Sequence, residues 1–417
     1  MRATLDVIGR VAFDIDFRAV QEFNVAASNS QPTSNPEDDE IFTIIRESMN
    51  ELNSRWANPL RGRYMFWLPE VRHAMRYWRA LQQHMRGVLR EIRSRGPPAD
   101  GDESIAAHLM RLKDPHTGQP LADDRLLPEI ATFFVAGTDT TAHTMTWTLY
   151  LVAQHPEVEA RLCAELDALG LLATPQRPEP RMVEVEDLSR LVYLAAVVKE
   201  SMRVLPVSAD GTAIQAPRDI QLGPHTIPAN TIIWVHIFSC HNSARYWDQP
   251  DRFLPERFMQ PGAEYAASGP QGKTAGEAAA GQQAAAAAAG GQSAPPSQEK
   301  LPGDGSSAQG EAEVQHRPDS HGSSSLSPSF SSRAVGSGGG SSQPLRFFPF
   351  SQGPRNCVGQ SLAKMDYLAI LAVLLGRYTF QLTPEVTAPG GVRDIISLTL
   401  QPEHGLPVLA VPRVPQL

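Results

Sequence analysis

The feature that most constrains this chain is one cysteine held in a tight turn directly before an apolar helix. The turn reads Phe-Ser-Gln-Gly-Pro-Arg-Asn-Cys-Val-Gly over residues 350–359, and a helical run follows from Gln360 to Tyr378. Glycine and proline bend the backbone around Cys357, and the helix is predicted to begin near Ser361. Because the start of a helix favours negative charge, this position favours the thiolate form of the sulfur. The turn therefore predicts a thiolate that is either a nucleophile or a metal ligand.

The spacing of the turn separates these two roles. Nothing nearby in the sequence supplies the histidine base that a cysteine nucleophile needs. The pattern F-x-x-G-x-R-x-C-x-G resembles the haem-ligand loop of the cytochromes P450, which implies that Cys357 is the iron ligand and that Arg355 contacts a haem propionate. Phe350, Gly353 and Gly359 then belong to the same haem-binding loop. For an isolated cysteine, a buried structural role in a turn is the commoner interpretation.

A second motif interrupts a long predicted helix that begins at Asp123. Residues 136–141 read Ala-Gly-Thr-Asp-Thr-Thr, and glycine and threonine are poor helix formers, so we expect a local distortion or a bound ligand here. The run resembles the family motif A/G-G-x-D/E-T-T. The resemblance implies that Asp139 and Thr140 relay protons to bound oxygen, while Ala136 and Gly137 leave room for oxygen and substrate. Read alone, such a run is more often a loop or a helix cap.

Two further motifs follow in the order that the family shows. Glu200 and Arg203 share one helix face at the spacing E-x-x-R, which many unrelated helices also contain. The family pairs this motif with a later P-E-R-F, present here at residues 255–258. The resemblance implies a buried network of Glu200, Arg203 and Arg257 that locks the region beneath the haem loop.

Composition excludes several classes of protein. The chain has 417 residues with 37 basic and 45 acidic side chains, so its net charge of −8 gives no support for binding nucleic acid. Three widely spaced cysteines exclude a disulfide framework, and no apolar run reaches the length of about 18 residues that a membrane span needs. The resemblance implies an electron donor, either NADPH-cytochrome P450 reductase or a ferredoxin-type protein. Its acidic surface would dock on a basic face formed by Arg346, Arg355 and Lys364.

The start of the chain departs from the family pattern. Leu5, Ile8, Val11, Ala12 and Phe17 have helical spacing, which predicts a helix over residues 3–20. A similar helix lies well inside the family's fold, so the chain is expected to be an N-terminally incomplete P450 of the eukaryotic, microsomal type. An anchor in the absent part would imply the endoplasmic reticulum membrane, with the plastid as the other option.

Two positions that anchor haem in many relatives also differ. No tryptophan has an arginine four residues later, and Ile214 stands where many relatives carry an arginine aimed at a propionate. Anchoring of haem by charge is therefore expected to depend mainly on Arg355.

The remaining elements follow from periodicity and turn residues. Between the helices over 40–56 and 69–95, the resemblance places the segment Tyr64–Leu68 above the substrate pocket, and its exposed apolar side chains would make a peripheral membrane contact; core packing is the other interpretation. Helices are also predicted over 105–112, 157–169 and 187–204, and strands over 211–215, 219–223, 231–237, 378–382, 396–400 and 406–411.

Residues 260–343 are of low complexity, with six consecutive alanines and several Gly/Ser runs. They cannot bury enough apolar surface to offset the ordering of their backbone, so we expect a disordered insertion within a single domain over 1–417.

Together these patterns predict a mainly α fold with a small β region, the cytochrome P450 fold lacking its N-terminal part. The resemblance implies heme b and a haem-thiolate monooxygenase that takes O2 and a small, hydrophobic organic substrate, with electrons from NADPH through a reductase. A truncated protein that binds haem weakly or does not turn over is one alternative. An isomerase or dehydratase that needs no reductase is another, which Asp139 and Thr140 argue against. Neither His236 nor His241 is predicted to bind metal.

Overall fold

The computed structural model describes residues 1–21, 40–58, 60–260, 346–388 and 390–414. Within these ranges the chain is mainly helical, with small two-stranded antiparallel sheets. The first half contains the helices α1 (Arg2–Phe13), α2 (Glu40–Ala57), α3 (Leu60–Tyr64), α4 (Pro69–Ser94), α5 (Ile105–Arg111), α6 (Asp123–Gln154), α7 (Pro156–Ala168), α8 (Val185–Leu188) and α9 (Val192–Val204).

The second half alternates short strands with helices. In chain order the elements are β1 (Thr212–Gln215), β2 (Ile220–Leu222), β3 (His225–Ile227), β4 (Ile232–Val235), α10 (Ile237–His241), a 3₁₀ helix (Pro255–Met259), α11 (Gln360–Arg377), β5 (Tyr378–Leu382), α12 (Pro384–Thr387), β6 (Asp394–Ser397), β7 (Thr399–Pro402) and β8 (Val408–Pro412). The pairs β1–β4, β2–β3, β5–β8 and β6–β7 are antiparallel.

Two hydrophobic clusters divide the described helices. The front cluster joins α1, α2, α4 and α5 to the first half of α6, where Ile130 and Phe134 are fully buried. The rear cluster joins α7, α9 and α11 to the second half of α6. Helix α6 therefore runs through both clusters, and the motif at residues 136–141 lies between them.

Helix α6 stays α-helical through this motif, so the predicted distortion is not present as a break. The hydroxyl groups of the threonines donate to carbonyls one turn earlier: Thr138 to Phe134 at 2.8 Å and Thr140 to Ala136 at 2.7 Å. These bonds use the helix's own acceptors, so the hydroxyls need no partner outside the helix.

Helix α1 is shorter than its apolar spacing predicted. It ends at Phe13 because Asp14 adopts a left-handed conformation, φ 53°, and its N–H bonds back to the carbonyls of Arg10 and Gly9. Phe17 consequently lies beyond the helix. Its ring packs edge-on against Phe134 with the centroids 5.6 Å apart.

Three other predictions need correction. The helix predicted over 187–204 is two helices, because Leu191 has ψ 61° and begins α9 as its N-cap. The strand predicted over 396–400 is a hairpin in which Leu398, φ 65°, joins β6 to β7. The strand predicted over 231–237 also ends early, at Val235, because the His236 ring accepts a hydrogen bond from Ser239 and caps α10.

Within the ranges given above, no helix combines the length and the apolarity needed to cross a bilayer. The residues in these ranges group into one compact unit. Apart from Gln260, the predicted insertion over 260–343 lies outside the described residues.

Candidate functional site

The cysteine turn is closed by hydrogen bonds within its own backbone. Ser351 N–H donates to the Phe348 carbonyl at 2.9 Å, and Cys357 N–H donates to the Phe350 carbonyl at 2.9 Å. Gly353 takes φ 84°, a conformation that glycine adopts at little cost. The Cys357 thiol is exposed, and α11 begins three residues later at Gln360. The structure thus places Cys357 directly before a helix, as the sequence predicted, and shows in addition that this residue is exposed.

An apolar cavity of about 350 Å³ lies beside this turn. Ile214, Val235 and Ile237 line one part of it, and Phe348, Pro354 and Arg355 line another. Thr212 of β1 and Ser351 of the turn bridge the two parts through hydroxyl groups 3.1 Å apart. Ile214, which the family resemblance aligns with an arginine in many relatives, therefore shares this cavity with Arg355.

Helix α6 keeps an exposed stripe of small side chains where it passes between the two clusters. Thr132 and Ala136 are exposed and Thr140 is half-buried, and these positions recur every four residues, on one face. Gly137 lies on another face: a Cβ there would stand 2.6 Å from Ile8 Cδ1 of α1. The space that Gly137 leaves is therefore filled by α1 and is not available to oxygen or substrate.

Asp139 is only 5% exposed and belongs to a buried polar chain. The Thr399 hydroxyl donates its proton to Asp139 Oδ2 at 2.6 Å. The oxygen of the same hydroxyl can then accept a hydrogen bond from His143 Nδ1 at 3.1 Å. His143 Nδ1 also lies 3.5 Å from Asp139 Oδ2. We did not predict Thr399 or His143 from the sequence. His143 follows Asp139 by one helical turn, a spacing that could have identified it, whereas Thr399 is 260 residues away.

The structure brings Glu200, Arg203 and Arg257 together. Arg203 binds Glu200 through two parallel hydrogen bonds of 2.9 Å, both side chains are fully buried, and Arg257 Nε reaches Glu200 Oε1 at 3.2 Å. Arg203 also donates to the carbonyls of His241 and Arg252 at 3.1 and 3.0 Å. Both oxygens of the buried carboxylate are thus satisfied, which such a charge needs in a low-dielectric interior.

The basic face predicted near Cys357 is smaller than the sequence indicated. Arg355 is exposed and Lys364 is half-buried with its Nζ 5.9 Å from the Phe350 ring. Arg346 packs inward: its guanidinium lies 4.1 Å from the Trp247 ring and donates to the Tyr246 carbonyl at 2.7 Å. Burial lowers the pKa of Arg346. The exposed charge of this face is therefore mainly that of Arg355.

Comparison with known proteins establishes the family. A family model described as Cytochrome P450 matches residues 1–270 and 332–405, and the chain belongs to that family. A crystal structure of a cytochrome P450, CYP102L1, has the same fold, with a TM-score of 0.63 at 20% identity over 99% of this chain and 70% of that one.

Individual relatives match over different lengths. The cyclooctat-9-en-7-ol 5-monooxygenase of Streptomyces melanosporofaciens is 36% identical over 187 residues, 44% of this chain and 38% of that protein. The cytochrome P450 monooxygenase acrF of Aspergillus aculeatus is 25% identical over an alignment of 447 residues, 98% of this chain and 71% of that protein. The chain thus spans less than half the length of the first of these relatives.

The residues present fit the haem group that this family binds through a thiolate. Within the described ranges, no group of three or more His, Cys, Asp or Glu side chains is arranged to hold a metal ion. The exposed Cys357 thiol is of the type that ligates this iron, and Arg355, which lines the apolar cavity, carries a charge opposite to that of a propionate.

Proposed function

We propose that the chain is a haem-thiolate monooxygenase that inserts one oxygen atom of O2 into a hydrophobic organic substrate and reduces the other to water. The observation that carries the proposal is the exposed Cys357 thiol, presented at the start of α11 beside an apolar cavity. When bound there, heme b supplies the iron chemistry of O–O cleavage, which the electron donation of a thiolate favours.

The cysteine turn holds the cofactor in this proposal. Cys357 is the iron ligand, and Arg355 offers a planar guanidinium to a propionate, with which it can make two hydrogen bonds. Gly359 lies close to this sulfur: a Cβ added there would meet it at 3.9 Å, an ordinary van der Waals distance. Phe350 supports the turn through its carbonyl, which accepts from Cys357 N–H.

Protons reach the reaction from two sides of α6. Thr140 stands on the open stripe with Ala136, and its hydroxyl would turn from the Ala136 carbonyl, to which it donates at 2.7 Å, to donate to oxygen bound there. Asp139 is turned into the protein and supplies protons from within, through its contacts with Thr399 and His143. Adjacent residues on a helix point about 100° apart, so the pair divides the two tasks between the open face and the interior.

Electrons come from NADPH through a cytochrome P450 reductase, or from a ferredoxin-type protein. The exposed Arg355 and the half-buried Lys364 provide the positive charge near Cys357 to which an acidic surface of such a donor docks.

A peripheral membrane contact is also part of the proposal. Leu60, Tyr64, Phe66 and Trp67 lie in and after α3 and are 57%, 59%, 67% and 63% exposed. Aromatic rings of this kind partition to the bilayer interface. This patch would contact the surface of a membrane, for which the family resemblance implies the endoplasmic reticulum or the plastid.

The test is the spectrum of the reduced, haem-loaded protein under carbon monoxide. We expect the red-shifted Soret band of a thiolate ligand, with Cys357→Ala losing the band and Cys163→Ala, a half-buried cysteine on α7, retaining it. A wild type without the band, or a Cys357→Ala variant that keeps it, contradicts the proposal. Conversion of a hydroperoxide into its own isomer or dehydration product, with no reductase and no second substrate, would instead indicate an isomerase or dehydratase.

A further inference from the structure

We propose that His241 is a positioning residue for the cysteine turn: its imidazole fixes Phe348, and through Phe348 it fixes the backbone that presents Cys357. The proposal rests on the proposed function, since it assigns His241 a role toward the same thiolate. His241 is not assigned as a metal ligand, because both of its ring nitrogens are hydrogen-bonded to the protein's own backbone.

The contacts of His241 define which form of the ring is present. His241 is 0% exposed at the end of α10. Its Nδ1 lies 3.2 Å from the Met202 carbonyl, which only accepts, so Nδ1 carries the proton. Its Nε2 lies 3.0 Å from Phe348 N–H, which only donates, so Nε2 is bare. Burial favours this neutral form and lowers the pKa of His241 to about 4.

Two backbone hydrogen bonds connect the segment that His241 contacts to Cys357. The Phe348 residue held by His241 uses its own carbonyl to accept from Ser351 N–H at 2.9 Å. Phe350, one residue earlier than Ser351, accepts from Cys357 N–H at 2.9 Å. The ring of His241 also stacks on Phe347, with the centroids 5.1 Å apart and the planes 26° apart. A change at His241 is thus expected to move Phe348 and, with it, Phe350, whose carbonyl accepts the hydrogen bond from Cys357 N–H.

His241 itself is fixed by the buried ion pair of α9. Its carbonyl accepts from Arg203 Nη1 at 3.1 Å, and Arg203 is held by Glu200. Asn242, the next residue, donates to the Arg203 carbonyl at 3.2 Å. The geometry therefore connects the Glu200–Arg203 pair to the cysteine turn through one side chain. The predicted insertion ends at residue 343, so this tertiary contact acts five residues into the returning chain.

Three variants separate positioning from simple core packing. His241→Phe keeps a ring of similar size for the stack on Phe347 but removes the acceptor for Phe348 N–H. His241→Gln keeps an amide oxygen that can accept from Phe348 N–H and removes the ring. The control is His225→Phe, an equal change at an exposed position in β3.

The readout is amide hydrogen exchange of the haem-free chain, followed by the carbon monoxide spectrum of the haem-loaded chain. In His241→Phe we expect the amides of Phe348 and Cys357 to exchange about tenfold faster, the factor that about 1.4 kcal/mol of lost hydrogen bonding gives. Buried α6 amides such as that of Leu151 should be unchanged, and the thiolate-ligated fraction should fall. In His241→Gln, the exchange rates of the Phe348 and Cys357 amides and the thiolate-ligated fraction should be close to those of the wild type. His225→Phe should change neither quantity.

The proposal is overturned if Phe348 exchanges faster while Cys357 and the spectrum do not change, or if His241→Gln is no better than His241→Phe. Should His241→Phe fail to fold, the unmodified chain still decides: Phe348 N–H must exchange at least about tenfold more slowly than the amide of exposed Gln352. Because exchange is measured without haem, a wild type that lacks the thiolate band refutes the proposed function separately from this link.

Discussion

At the scale of single residues, Asp139 and Thr140 are neighbours in sequence but face different surroundings. Asp139 is 5% exposed and bonded to Thr399, whereas Thr140 is half-buried on the open stripe of α6. The Thr140 hydroxyl donates to the Ala136 carbonyl at 2.7 Å, which fixes its oxygen toward that stripe. A change at either residue should therefore affect a different step of proton delivery.

Thr140→Ala should lower the product formed per NADPH consumed by about tenfold or more and raise peroxide release, because a hydroxyl no longer donates to bound oxygen. Thr140→Ser should retain most of the coupling. The control is Thr146→Ala, which removes an equivalent hydroxyl bonded to Ala142 on the same helix. Measured peroxide, NADPH and product give the ratio, and unchanged coupling in Thr140→Ala would remove the relay role.

The pKa of His241 predicts how the free energy of unfolding depends on pH. Its folded pKa of about 4 lies below the ordinary value of 6.5, so the unfolded chain takes up the proton first as the pH falls. The free energy of unfolding should therefore decrease below pH 6.5, by up to about 1.4 kcal/mol per pH unit, and level off below about pH 4. Denaturant titrations of wild type and His241→Gln isolate this contribution; parallel pH curves would show that His241 is not buried and neutral.

At the scale of elements, α11 joins the cysteine turn at one end to the α7–α8 connection at the other. Gly376 in its last turn is buried, and its carbonyl accepts from Ala173 N–H at 2.7 Å. A Cβ at this position would stand 2.3 Å from the Leu171 carbonyl oxygen. A backbone atom cannot yield as a flexible side chain can, so only glycine allows this close approach.

Gly376→Ala should reduce the free energy of unfolding by about 1–3 kcal/mol, because the steric cost exceeds the gain of about 1 kcal/mol that alanine has over glycine in a helix. The control is the same substitution at Gly87 in α4, where a Cβ meets nothing within 4 Å and the gain should appear alone. Thermal unfolding of both variants measures whether each substitution lowers or raises the free energy of unfolding. Stabilisation by Gly376→Ala would refute the close contact.

At the scale of the whole molecule, the two hydrophobic clusters are joined by α6 and α11. Leu362 at the start of α11 packs against the front cluster, while Tyr367 and Leu371 belong to the rear one. The family match stops at residue 270 and resumes at 332, and the described chain resumes at Arg346 with contacts to Tyr246 and Trp247. We propose that residues 260–343 are an insertion within one P450 domain.

Limited trypsin digestion should cut this insertion, for example after Lys273, Lys300 and Arg333, and leave haem and its thiolate band in place. The cost of closing a loop grows by only about 0.6 kcal/mol per doubling of its length, so the domain does not depend on the inserted segment. Mass spectrometry of the fragments and the carbon monoxide spectrum give the result. A protected fragment from this segment, or loss of haem on cutting, would contradict it.

Local patterns predicted α2, α4, α5, α6, α7 and α11 within a residue or two, and they did not predict the short helices α3, α8, α10 and α12. They failed where a single residue left the expected conformation, as Asp14 does at the end of α1 and Leu398 does between β6 and β7, with φ of 53° and 65°. A helical or alternating pattern records which side chains are apolar and does not record such a turn.

The sequence alone determined the cysteine turn, the helix that follows it and the Glu200–Arg203 pair, because the residues involved lie within one or two turns of each other. Only the tertiary structure decided that Thr399 holds Asp139, that His241 holds Phe348 and that Ile8 fills the space at Gly137. The first two pairs are 260 and 107 residues apart, and their contact depends on how the helices pack, which no short-range pattern specifies.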